Sequence, residues 1–151
     1  RKPTLVGIAT GMVAGLATIT PAAGSVGPLG AIIIGILAAG ICYAAVSLIR
    51  QKLKIDDSLD VFAVHGVGGI LGSLLIPFLA SAGPLAPGLE MSTGAQFGVQ
   101  ILGVIVVAVF SAIVTAAILF AIKLVMPLRV SAEDEENGLD TATHGETAYH
   151  M

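Results

Sequence analysis

Residues 97–126 read FGVQILGVIVVAVFSAIVTAAILFAIKLVM, a run whose single charge is Lys123. A helix crosses the hydrocarbon core of a bilayer with about 20 apolar residues. At 1.5 Å per residue this run reaches about 45 Å, so it must tilt or protrude. Its apolar residues are continuous, whereas the strands of a membrane β-barrel alternate apolar and polar positions. Three more apolar blocks lie upstream, at 5–22, 29–49 and 61–82. The fold class that follows is an all-α membrane protein, a polytopic bundle of transmembrane helices.

Composition agrees. The 151 residues are 56% hydrophobic and 11% charged, with a mean hydropathy of +0.97. Soluble domains average about 25% charged. The net charge of -3 reflects acids gathered near the end of the chain, and there is no basic patch for nucleic acid. Cys42 is alone, so no disulfide within the chain is possible. It lies in an apolar run and reads as a packing residue. The sequence has no Gly-x-Ser-x-Gly elbow, no Cys pair, no His-Glu-x-x-His and no phosphate loop. An enzyme is not expected, nor a cofactor or a metal site.

The links between blocks are clear. Pro21, Gly24, Gly27 and Pro28 mark a turn-rich link, 51–60 is charged, and 81–93 carries Pro84 and Pro87. From Pro127 the chain turns polar, and Glu133 to Glu136 lead a segment with no apolar periodicity. Two regions are expected: a transmembrane region at 1–126 and a tail at 127–151. On composition alone the tail reads as a disordered, solubilising end.

Four crossings place all seven Lys and Arg residues on one side: Arg1, Lys2, Arg50, Lys52, Lys54, Lys123 and Arg129. The opposite loops, 21–28 and 81–95, have none. The positive-inside rule then puts both ends of the chain and the 51–60 loop in the cytoplasm. The spans are also rich in small residues, such as Gly7, Gly11 and Gly15 in the first, which let helices approach closely in lipid.

The third block carries the most informative run, Asp56-Asp57-Ser58-Leu59-Asp60-Val61-Phe62-Ala63-Val64-His65-Gly66-Val67-Gly68-Gly69. Asp57 fits an N-cap, with Asp60 three residues on, where acids favour a helix start. Val61 and His65 share a helix face, and Gly68, Gly69 and Gly72 are expected to continue it. Gly66 and its neighbours leave room beside the imidazole. His65 is the one ionisable residue in the span. Ionisable groups at membrane depth are costly and mark pathways. Neutral imidazole both donates and accepts a hydrogen bond, and it titrates near neutral pH. His144 and His150 lie in the polar tail and read as exposed.

These residues resemble the ammonium transporter family. The run from Asp56 to Gly69 looks like the family's Asp-Asp-x-x-Asp-Val-Phe-x-Val-His-Gly signature. Two further segments are similar. One is Lys2-Pro3 with Gly11 to Leu16 and Thr20-Pro21. The other is Leu128-Arg129-Val130, then 136–140, then His144-Gly145-Glu146 and Ala148-Tyr149. The resemblance implies the ammonium transporter fold, eleven spans in a homotrimer, and one pore per subunit. This chain looks like the last four spans plus the cytoplasmic tail. His65 falls on the second histidine of the pore pair, and Val61 and Val13 on lumen-lining positions. Asp57, Asp60, Gly66 and Gly69 stand near that pore. The first histidine, the outer recruitment site and the phenylalanine gate match nothing here. The implied activity is ammonium or ammonia transport across the cell membrane, with no cofactor. For the tail, the resemblance implies packing on the cytoplasmic face and binding of a PII-type signalling protein. Its regulatory residues would be Gly138, Leu139, Asp140, His144, Gly145, Glu146 and Tyr149, with Gly138 bending the segment.

Two other readings stay open at the level of residues. One is a secondary carrier that uses His65 for proton coupling. The other is a sensor that signals through its tail without transport. Truncation after Met126 is expected to leave membrane insertion intact and to disturb regulation of uptake. Loss of all insertion in a fractionation assay would contradict the division at 126.

Overall fold

A computed structural model describes residues 4–146. Lys2, Pro3, Ala148 and Tyr149, all quoted for the resemblance, lie outside the described residues, as does His150. Among the described residues four helices are long and apolar enough to cross a membrane: Leu5–Ala22, Pro28–Lys52, Phe62–Leu79 and Thr93–Lys123. No strand occurs among them. By contacts the chain falls into two units, Arg1–Val106 and Val107–Met151.

The first unit is built on α1 (Leu5–Ile19), α2 (Pro28–Ser47) and α3 (Val67–Leu79). Local chemistry sets the ends. Thr4 caps α1, its hydroxyl accepting from the Gly7 N–H at 3.1 Å. A 3₁₀ turn, Thr20–Ala22, tightens the exit around Pro21. Pro28 opens α2 at its first position, where its missing N–H costs nothing. A π-helical turn, Leu48–Lys52, closes the second span. Another, Phe62–Gly66, opens the third and runs into α3.

All three helices pack on one another, and the π-turn at 62–66 packs on α1 and α2. One buried cluster joins Ala14, Cys42 and Val64, one residue from each span. A second joins Ala22, Ile34, Ile76 and Leu79. Cys42 is buried there, as a packing residue should be. Between the clusters lies Thr18, fully buried, its hydroxyl donating to the Ala14 carbonyl at 2.7 Å. That bond satisfies a hydroxyl that has no water to turn to.

The glycines of the third span divide sharply. A Cβ at Gly72 would stand 1.9 Å from the Thr18 carbonyl oxygen, and one at Gly68 would stand 2.6 Å from the Thr18 hydroxyl. These two positions hold α1 and α3 at backbone contact. A Cβ at Gly69 would meet nothing within 4 Å. The buried positions run Val64, Gly68, Gly72, Ile76, four residues apart. Gly68 and Gly72 are therefore buried in the seam, whereas His65 is exposed. In α1, Gly11 and Gly15 have no neighbour within 4 Å of a Cβ, so close packing does not explain them within this chain.

The fourth span, α4 (Thr93–Lys123), begins before the apolar run. The Ser92 hydroxyl accepts from the Ala95 N–H at 3.3 Å and its carbonyl from the Gln96 N–H at 3.0 Å, so the polar cap draws Thr93 to Gln96 into the helix. Within the first unit, Phe97 near the start of α4 meets Phe78 of α3, ring centroids 5.3 Å apart. No residue of α4 is buried by this chain.

In the second unit the segment after Pro127 is structured, which corrects the compositional reading of a disordered end. α5 spans Ala132–Asn137, and the Ser131 hydroxyl accepts from the Asp134 N–H at 3.1 Å. Acids in a first turn suit the helix dipole. Arg129 pairs with Glu135 at 2.9 Å. Gly138 ends the helix with φ +89°, in the region that favours glycine.

Gly72→Ala should lower stability by about 1–3 kcal/mol or more, because backbone must move to admit the methyl group. Gly69→Ala should stay within about 0.5 kcal/mol. Unfolding midpoints in detergent check the pair, and equal effects would contradict the seam.

Candidate functional site

The third span begins in a turn that leaves few backbone groups unpaired. The Asp57 carboxylate accepts from three N–H groups: Val61 at 2.7 Å, Phe62 at 3.0 Å and Ala63 at 3.4 Å. These are orphan donors of a helix N-terminus, and a carboxylate there also meets the positive end of the helix dipole. Asp57 thus acts as the expected cap, though from four to six residues upstream of the groups it serves. The Asp60 carbonyl accepts from Val64 N–H at 2.8 Å, and Asp60 itself has φ +56°. Its Oδ1 stands 2.8 Å from Arg50 Nε.

The π-helical turn that follows carries the imidazole. Val67 N–H donates to the Phe62 carbonyl, a bond across five residues instead of four. Such turns are rare and often occur where function needs an altered register. His65 is exposed on it, between buried Val64 and half-buried Gly66. Val61 is 52% exposed, and Val13 on α1 is 43% exposed. Each of Val13 and His65 adjoins a member of the Ala14–Cys42–Val64 cluster. A Cβ on Gly66 would press the Phe62 ring at 3.0 Å, so that glycine accommodates an aromatic neighbour. Val13, Val61 and His65 are thus each left exposed by the first unit.

An open cavity of about 560 Å³ lies elsewhere in that unit, between α1, α2 and the start of the third span. Gly11, Ala14, Cys42 and Val64 line it, with Arg50 and Asp60 also on its wall. His65 is not among its lining residues.

Tail residues sit in the second unit. Leu139 precedes a π-helical turn, Asp140–His144, and Gly145 follows it with φ +67°. Glu146 N–H donates to the Asp140 carbonyl at 3.2 Å. His144 is exposed. Tyr149 lies outside the described residues.

Sequence reasoning overlooked one residue. Arg50 entered only as a positive charge that sets orientation, yet its guanidinium organises the 57–60 turn. A signal existed: it is the first cation before three nearby aspartates, at the end of an apolar block. Nothing in Phe62–Gly66 announced a π-helical turn.

With that geometry in hand, comparison with known proteins is specific. A family model described as Ammonium Transporter Family matches residues 1–149. An ammonium transporter of Aquifex aeolicus is 48% identical over 151 residues, covering 99% of this chain and 36% of its own length. One from Bacillus subtilis is 41% identical, covering 99% and 38%. One from Mycobacterium tuberculosis is 42% identical, covering 98% and 33%. The chain thus spans little more than a third of these relatives, which are named as transporters and not as enzymes.

Asp57→Ala should cost about 1–2 kcal/mol, the upper range for a helix cap, because three N–H groups lose their acceptor. Chemical unfolding checks this, and an unchanged midpoint would remove Asp57 from the account of the helix start.

Proposed function

The chain belongs to the ammonium transporter family, and on that premise we propose that it forms the last four spans and the cytoplasmic tail of a homotrimeric protein that carries ammonium or ammonia across the cell membrane. The observation that carries the reading is His65, a lone ionisable residue on the uncovered apolar face of a span. Val61 and Val13, exposed on the same unit, line the pore with it. Asp57, Asp60, Gly66 and Gly69 stand beside that pore, where the two acids fix the helix start.

The physics favours deprotonation on the way through. An unpaired cation in a dry apolar lumen carries a heavy desolvation cost, and ammonia does not. Neutral imidazole offers an N–H and a lone pair, so it holds ammonia by a hydrogen bond without adding charge. Because both ring nitrogens can carry a proton, an imidazole can also pass one along.

The grouping of all seven cations on one side of four crossings supports a cytoplasmic position for both ends of this chain and the 51–60 loop. The 127–151 tail is then cytoplasmic, and it couples transport to a PII-type signalling protein. The ordered helix and the turn at Asp140–His144 support a recognition role over a solubilising one.

The test is an ammonium pulse on liposomes that hold the complete protein, with a potassium pulse as control. We expect an ammonium-specific current, or internal alkalinisation without current if ammonia alone moves. His65→Ala is expected to abolish the flux or to admit potassium. Unchanged flux and unchanged rejection of potassium in that variant would remove His65 from the lumen. Silence of the intact protein in both assays would favour the sensor reading.

A further inference from the structure

One guanidinium gathers three acceptors of the turn that starts the third span. Arg50 Nε donates to the Asp57 carbonyl at 3.2 Å and lies 2.8 Å from the Asp60 carboxylate. Its Nη2 donates to the Ser58 carbonyl. The turn is knitted within itself as well, since Asp60 N–H donates to the Asp57 carbonyl at 3.1 Å. Arg50 belongs to the end of the second span, so these contacts fasten the start of the third span to it at one point.

The fastening acts where direction is decided. Asp60 adopts φ +56°, a left-handed conformation uncommon for residues with a Cβ and most accessible, among them, to asparagine and aspartate. Its carbonyl takes the first helical bond, from Val64. Rotation at Asp60 therefore turns everything that follows. The register is exacting, because Val64 is 3% exposed and its neighbour His65 is exposed. One residue is about 100° of helix rotation. A turn of that size one way would carry the imidazole to the place of Val64, against Ala14 and Cys42, and the other way would carry Val64 to the exposed place of His65.

We propose that Arg50 is a positioning residue. Its grip on the 57–60 turn sets the rotation of the third span, so that His65 and not Val64 faces the open side. The effect on transport rests on the reading of His65 given above, whereas the effect on register does not. A planar guanidinium donates to two carbonyls and sets its charge beside a carboxylate, whereas an ammonium is a point charge. Arg50→Lys is therefore expected to fail as a replacement although charge is kept.

The experiment uses the complete protein in liposomes, with single cysteines introduced as Val61→Cys or Val64→Cys in a Cys42→Ala background. A small membrane-permeant thiol reagent reports their exposure. With Arg50 in place, the cysteine at 61 reacts much faster than the one at 64. Arg50→Gln and Arg50→Lys should each shrink that contrast. Ammonium flux should fall of the order of tenfold, as small misplacements of an active group do. An unchanged contrast in both variants overturns the proposal, whatever the flux does. If Arg50→Gln does not reach the membrane, Arg50→Lys and Asp60→Asn carry the same measurement, and an intact contrast in both overturns it. A reduced contrast in variants of a protein whose His65→Ala form transports normally supports the positioning role while removing the pore reading.

Discussion

Two helices of the first unit meet backbone against backbone. The Thr18 carbonyl oxygen occupies the place where residue 72 would carry a Cβ. Lipid tails are as apolar as leucine, so burial alone gives spans little reason to associate. Close contact of backbones supplies dispersion instead, and only glycine permits it here. Gly68 and Gly72 admit α1, and Thr18 fits because its hydroxyl is bonded back to Ala14. From that contact follow the two buried clusters on either side and the line of buried positions from Val64 to Ile76.

That line has a consequence for chemistry. Val64, Gly68 and Gly72 take the seam with the neighbouring spans, and His65 beside them is left exposed. The π-helical turn and the clamp at its start place the boundary between the two faces at the Val64–His65 bond. Packing and site are thus one arrangement.

Much of this was legible in the residues. Length and continuity of the apolar runs announced four spans, because nothing but a helix satisfies its own backbone in lipid. The ends read less accurately. Ser92 drew the fourth helix back to Thr93, since a hydroxyl cap overrides hydropathy. Asp57 was recognisable as a cap. Composition misled at the tail, where Glu133 to Glu136 suggested disorder although Ser131 caps a helix there with Asp134. Arg50 was harder to read as an organiser, because its two hydrogen bonds go to backbone carbonyls that no side-chain pattern reveals.

The sequence by itself determined the helical membrane class, the span count, the charge asymmetry and the presence of a single imidazole in the third span. Each of these is a property of one segment and its solvent. Tertiary structure alone decided which glycines pack, which face His65 occupies, and which cation holds the turn. Those outcomes depend on distances between segments far apart in the chain. A single π-helical turn, unmarked in sequence, shifts the register on which all of them rest.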